Sequence, residues 1–399
     1  MKAKVDARAR SVFPRPIYLG AATRTPIGKF GGTLKRFSAP ELATLALKEA
    51  IRRVPDAKSP DAVILGHARQ AGAGPNPARQ ATIFAGLSET VPATTVNLAC
   101  ASGLSAVFSA VEKIALGRAE SIWAGGVESM SNTPYLLPNA RFGYKMGNAT
   151  ALDGMVKDGF FCPMSDMLMG ETVERFLTKD RGITREAQDA YALESQNRAE
   201  KAWKSGAFNA ETFEIPAEGK NLGLRDDEHR RGDVTLAQLA KLPPVFDLKS
   251  GSVTAGNSSG ITDGAAFLHV SSERNSATQA EVLDFEVIAM EPRLMGLGPV
   301  TAVLNLLGRH GLKVEDLASV ELNEAFAAQV LACQQTLNIP TEILNPRGGA
   351  IALGHPIGAT GARILTTLLH TLGGNAGSLG VATLCVSGGH GVAILVRSV

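Results

Sequence analysis

Four short stretches of the chain carry side chains able to do chemistry. TVNLACASGLSAV, residues 95–107, sets Cys100 among small neighbours where a helical pattern opens. Unpaired N–H groups and the dipole at a helix N-terminus favour an anion, so a cysteine there can react as a thiolate near neutral pH. A free cysteine is also a common inert core residue, and this stretch alone leaves both readings open. RGGAIALGHPIGATG sets His355 in a turn crowded by Gly348, Gly349, Gly354, Gly358 and Gly361. Such glycine density marks tight turns or close backbone approach by a ligand, and the histidine is either a general base or structural. Cys385, in LCVSGG, ends an apolar strand pattern and enters another glycine turn. In ELNEAFAAQ, Asn323 and Glu324 follow a strand pattern and are read as opening a helix, where asparagine is a favoured cap. Two cysteines and a histidine on glycine turns invite a zinc site, but paired ligand spacing is missing and no metal is expected. The GxGxxG and GxxxxGK phosphate loops are absent too.

Positioning these groups requires a frame, and the chain alternates strand-like and helical patterns from its start. Residues 17–20 and 61–66 read as strands and 41–53 as a helix; 299–311 then reads as helical and 317–322 as a strand. Cys100 precedes a helix and then the strand end IWAGGVESMS, while GHPIGATG precedes a helix and then VATLCVSGGHG. The paired elements stand about 25 to 30 residues apart, as duplicated units of supersecondary size would. The fold class is therefore α/β with buried sheets and two similar halves. Residues 132–259 break the pattern with Pro, Gly, Met and charge, and only 185–207 reads as a long helix. The charged run Arg225 to Arg231 inside it reads as a solvated loop or as a contact for a polyanion.

Composition limits the function further. With 399 residues, 45% of them hydrophobic, the chain can bury a large core and divide into two or three domains. Lys plus Arg number 40 against 38 Asp plus Glu, so nothing selects for nucleic acid or an anionic membrane. Four cysteines without a C-x-x-C pair suit a reducing compartment, and no apolar run marks a secretory signal or a membrane span. A cytoplasmic enzyme is expected. An organellar transit peptide is the weaker reading of Arg8, Arg10 and Ser11, because the segment is short and contains Asp6.

Taken together, NLACASG, NEAFAAQ, GGAIALGHPIGATG and LCVSGG, in this order over essentially the whole chain, resemble the thiolase family. RTPIGKFGG, AGGVESMS, SVTAGNSSGITDGAA and MGLGPV add to the resemblance. It implies duplicated halves in a five-layer αβαβα arrangement with an inserted loop domain that binds coenzyme A. The expected division is 1–130 with 261–281, 131–260 for the loop domain, and 282–399. By the same resemblance Cys100 matches the acyl-accepting nucleophile, His355 its base, and Cys385 the acid/base acting on the α-carbon of a second acyl-CoA. Asn323, through a water, and His355 match one oxyanion site; the backbone N–H groups of Cys100 and Ser387 match the other. Ser259, Arg231, Phe246, Met169, Met295 and Phe326 match contacts to coenzyme A or the acyl chain.

The implied reaction is reversible, non-decarboxylating Claisen chemistry on coenzyme A thioesters, with no bound cofactor and a homodimeric or homotetrameric assembly. Synthesis of acetoacetyl-CoA from acetyl-CoA and thiolysis of longer 3-ketoacyl-CoA in fatty-acid oxidation are the two forms. Decarboxylating condensation or hydrolysis would leave Cys385 idle, and a non-catalytic acyl-CoA or lipid carrier would not need both cysteines. Three positions depart from the family pattern: Ser387 stands where glycine is usual, His390 where an uncharged residue is, and Leu168-Met169 where short-chain members carry His-Met.

Overall fold

The computed structural model describes residues 9–219 and 222–399, so Arg8 and Asp6 of the basic N-terminal segment lie outside the described residues. Nine strands carry the architecture: Tyr18–Arg24 (β1), Ala62–His67 (β2), Ala93–Val96 (β3), Ser121–Ser129 (β4), Thr262–Ser271 (β5), Thr278–Ala289 (β6), Ser319–Leu322 (β7), Leu379–Val386 (β8) and His390–Ser398 (β9). The helices that matter are Ala39–Arg52 (α1), Pro77–Phe84 (α2), Ser102–Ala115 (α3), Arg185–Lys204 (α4), Gly298–Arg309 (α5), Ala327–Leu337 (α6) and Ile357–Leu372 (α7).

The strands run in the order β7-β8-β9-β6-β1-β5-β4-β2-β3, and the antiparallel pair β1–β6 joins the two halves. Outward from that pair each half repeats one plan. In the first, β1, β5 and β4 are antiparallel and β4, β2 and β3 parallel. In the second, β6, β9 and β8 are antiparallel, β8 and β7 parallel, and a parallel bridge from Val320 to Leu344 continues the series. The duplication read from the sequence is thus a duplication of strand order and direction.

Alternation along the strands assigns the layers. Ile64 of β2 points to an inner core with Leu104, Val107 and Val111 of α3, Leu365 and Leu368 of α7, and Leu384 of β8. Its neighbours Val63 and Leu65 point the other way, to Leu42 and Leu47 of α1 and Ala81 of α2. On the opposite side Val320 and Leu322 of β7 meet Val303 and Leu306 of α5 and Val330 of α6. Helices α1 and α2, one half-sheet, α3 with α7, the other half-sheet, and α5 with α6 make five layers. Covered on both faces, β4, β5 and β8 are buried along their whole length, as sheets between helices must be.

The central helices approach at their N-terminal ends. A Cβ on Gly361 would stand 2.6 Å from the Leu104 nitrogen, and one on Gly103 2.8 Å from the Ala362 nitrogen. The close approach at Gly361 is therefore made by another helix, where the sequence left open a ligand. It brings the turn before α3 against the turn before α7, which carry Cys100 and His355.

The expected helix from Asn323 begins instead at Ala327. The Asn323 N–H donates to the Thr383 carbonyl at 3.0 Å and so prolongs the β7–β8 pairing, and the Ser259 N–H donates to the Ala325 carbonyl at 3.0 Å. Asn323 is a strand-end residue and caps nothing. Helix α4 stops at Lys204, short of Ala207, because Gly206 turns at φ +75°. The charged run is not simply solvated: Asp227 is buried, paired at 2.7 Å with Arg24, which also holds Glu211 at 2.6 Å.

Candidate active site

Cys100 sits on a strained turn. After β3 the chain makes a single tight turn, Ala99–Ala101, before α3, with Ala99 at φ +45°, which L-residues rarely adopt. Local bonds hold it: Asn97 Oδ1 accepts the Ala99 N–H at 2.8 Å, and Ser102 Oγ donates to the Ala99 carbonyl at 2.7 Å. Cys100 is half-buried, whereas Cys162, Cys333 and Cys385 are buried. Burial pushes its thiol up, against the pull of the Ser387 and Cys100 backbone N–H groups and the Arg69 charge. Desolvation outweighs the helix end here, so the resting group is a thiol and needs a base, contrary to the ready thiolate its position suggested.

His355 has the state of such a base. It lies between Gly354, at φ +107°, and Pro356, and its N–H donates to the Gly260 carbonyl at 3.0 Å. Thr360 Oγ1 donates to the Pro356 carbonyl at 3.0 Å and stands 2.6 Å from His355 Nδ1. With its only proton so engaged, the hydroxyl accepts from Nδ1–H, which leaves the Nε2 lone pair free. Burial, with Arg363 and Arg69 nearby, pushes the imidazole down to about 3, so it is neutral at working pH.

That shift has a sign that can be measured. Between the ordinary 6.5 and about 3, the unfolded chain holds a proton at this residue that the folded chain does not. Stability contributed by the neutral imidazole therefore falls as pH drops below 6.5. His355→Gln is expected to flatten the acid-side fall of unfolding free energy by about one proton near pH 5. An unchanged slope in denaturant titrations between about pH 6 and pH 4 would contradict it. His229 and His269, each pushed down to about 4 by burial, retain their contributions in the variant.

Cys385 ends β8 in an apolar cluster, and burial and then the neighbouring Cys100 charge push its thiol well up. An ionised Cys100 thus opposes ionisation of Cys385. Asn323 is 1% exposed, and neither atom of its side-chain amide has a hydrogen-bond partner among the described residues. Ser387 avoids positive φ, which falls on Gly388 and Gly389, both at +87°. Serine costs nothing there, and Ser387→Gly is expected to keep kcat/KM within about tenfold of the parent. A loss of several orders of magnitude in steady-state assays would give the serine hydroxyl a role of its own.

Met169, Phe246, Met295 and Phe326 gather around Cys385, with the Phe246 and Phe326 rings edge to face at 6.4 Å. Ser259 joins this wall through its bond to Ala325, while Arg231 is exposed, its N–H donating to Gln196 at 2.9 Å. His390, half-exposed, opens β9 opposite Val386.

Sequence reasoning missed several groups. Met155 and Phe160 wall the Cys100 side, and Arg69 stacks 5.1 Å over Phe160. Buried Glu128 accepts from the Gly358 N–H at 3.0 Å and pairs with His67 at 3.0 Å, tying the start of α7 to β4 and β2. Glu324 accepts from Tyr191 at 2.8 Å, Ser195 at 2.6 Å and the Ile351 N–H at 3.0 Å, which fastens α4 to the glycine turn before His355. Glu128 and Glu324 lie inside quoted motifs, so only their partners were hidden; Met155 and Phe160 carried no local signal.

Comparison with known proteins agrees with this geometry. The thiolase N-terminal domain model matches residues 17–274 and the C-terminal domain model residues 276–398. An acetyl-CoA acetyltransferase of Escherichia coli is 45% identical over 386 residues, 94% of this chain and 98% of its own. The crystal structure of the Bacillus anthracis acetyl-CoA acetyltransferase superposes with a TM-score of 0.92 at 40% identity, covering 98% of this chain and 100% of its own. That of human mitochondrial 3-ketoacyl-CoA thiolase in complex with CoA gives 0.91 at 36% identity, covering 98% and 100%. Its strand plan, its cysteine and histidine turns and these matches along nearly all its length make the chain a member of the thiolase family, an acyltransferase of α/β fold.

Proposed function

We propose that this thiolase joins two acetyl-CoA molecules into acetoacetyl-CoA and CoA, and runs the reverse thiolysis, through an acyl group carried on Cys100. The observation that supports it most is the pairing of a half-exposed thiol and a neutral imidazole, with Nε2 free, on the abutting ends of two central helices. His355 Nε2 takes the Cys100 proton as sulfur attacks the thioester carbonyl, and returns it to the leaving CoA sulfur. Cys385 then passes its thiol proton to His355 Nε2, and the thiolate so formed removes a proton from the methyl carbon of the second acetyl-CoA, whose carbanion attacks the acyl group on Cys100. Breaking the Cys100 thioester frees its thiolate, which regains a proton through His355. The amide of Asn323, through a water, and His355 serve one developing oxyanion; the Ser387 and Cys100 N–H groups serve the other.

The segment 131–260 is read as the domain that binds CoA, between halves 1–130 with 261–281 and 282–399. Met169, Phe246, Met295 and Phe326 would line the acyl and pantetheine path, Ser259 would touch the pantetheine, and exposed Arg231 would reach the adenine end. A homo-oligomer in the cytoplasm completes the reading; no helix among the described residues is long and apolar enough to cross a membrane.

A longer 3-ketoacyl-CoA is the second substrate reading, favoured by Leu168 at a half-buried position where short-chain members carry histidine. Loss of the acetoacetyl-CoA enolate absorbance on adding CoA, repeated over a chain-length series, tests both. The four-carbon substrate is expected to give the highest kcat/KM. A higher value for longer chains selects the second reading, and binding without turnover makes the chain a carrier.

A further inference from the structure

The outward face of β7 is apolar or well paired: Val320 and Leu322 lie in the outer core, and Glu324 accepts from Tyr191 and Ser195. By the two-residue alternation of a strand, Ser319, Glu321 and Asn323 face inward, toward α7. There Arg363 Nη1 stands 3.9 Å from Glu321 Oε2. Arg363 lies one helical turn beyond Thr360, the partner of His355, and Thr366 lies one turn further on the same face. None of Ser319, Glu321, Asn323, Arg363 and Thr366 is more than 2% exposed. Yet Ser319 Oγ, Glu321 Oε1, both amide atoms of Asn323, Arg363 Nε, Nη1 and Nη2, and Thr366 Oγ1 have no hydrogen-bond partner among the described residues.

A buried polar group without a partner is costly, and a guanidinium most of all. One such atom can be tolerated; a group of them on the facing sides of one strand and one helix points to a hydrated space, since buried water needs two to four polar neighbours. We propose that the seam between β7 and α7 binds a chain of ordered water molecules running from the Asn323 amide to the Glu321–Arg363 pair. This rests on reading Asn323 as the holder of a water at the substrate oxyanion. That water becomes the outermost of a chain anchored inside the protein, and Arg363 and Glu321 become positioning residues for it.

The charges around the pair agree with this. Beyond Arg363 stands Glu211, its Oε2 without a hydrogen bond among the described residues and 3.8 Å from Arg347; Arg24 and Glu324 are further charged neighbours, while Ala382 of β8 beside Glu321 is apolar. Burial, opposed by Arg363, raises the Glu321 carboxyl to about 8. A neutral carboxyl both donates and accepts, as a link in a water chain must.

A high-resolution crystal structure of the full chain tests the site. Waters are expected within hydrogen-bond distance of the Arg363 guanidinium, Glu321 Oε1, Thr366 Oγ1 and the Asn323 amide; a dry seam, with these groups bonded to one another, overturns the proposal. Thr366→Val, remote from substrate and nearly isosteric, tests the role. In a hydrated seam it removes a partner of the chain, so Tm falls and kcat drops about threefold with KM within about twofold. In a dry seam it removes an unpartnered hydroxyl and Tm rises. A rise in Tm overturns the water site, and an unchanged kcat overturns its link to catalysis. Failure of the functional reading looks different: the parent enzyme would be inactive with acetoacetyl-CoA while the waters remained.

Discussion

Replacing Cys100 with alanine is expected to abolish condensation and thiolysis, with kcat lower by at least about 10⁴-fold, the scale of losing a covalent nucleophile. No other group can take its place. Cys385 is buried at the end of β8 and burial holds its thiol protonated, while Cys162 and Cys333 are buried elsewhere. The fold should survive, because the strained Ala99 turn is held by Asn97 and Ser102 and not by the cysteine. A Tm within about 1 °C of the parent, corresponding to at most about 1 kcal/mol in a chain of this size, is the expected control. Residual turnover within about a hundredfold of the parent would remove Cys100 from the role of acyl carrier.

Cys385→Ala should divide the reaction in two. Acylation of Cys100 calls on His355, whose Nδ1 is held by Thr360 and not by Cys385, so an acetyl group should still load, if more slowly. Condensation should fall by about 10²-fold or more, the usual cost of losing a general acid/base. Rapid-quench loading with acetyl-CoA beside steady-state condensation checks the split. Equal losses in the two steps would contradict it.

The frame was legible because buried α/β sheets write themselves in runs and turns. β8 is apolar along nearly its whole length, and the GHPIGATG turn keeps glycines where α7 must touch α3. Cys100, His355, Asn323 and Cys385 were visible through the segments around them. What stayed hidden is what the chain brings together from afar. Asn323 looked like a helix cap because a one-residue extension of pairing to Thr383 leaves no local trace. The neutral state of His355 depends on burial and on Arg363 and Arg69, and the protonated resting state of Cys100 on desolvation that outweighs a helix end. The charged run 225–231 looked solvated because its anchor, Arg24, lies two hundred residues away on β1.

The division of labour between the two cysteines is tested most directly by intact-protein mass spectrometry of Cys385→Ala and Cys100→Ala after brief exposure to acetyl-CoA, with peptide mapping of any adduct. The account predicts one acetyl group on Cys385→Ala, mapped to Cys100, and none on Cys100→Ala. An acetyl group on Cys100→Ala mapped to Cys385, with none on Cys385→Ala, would exchange the two roles and contradict it.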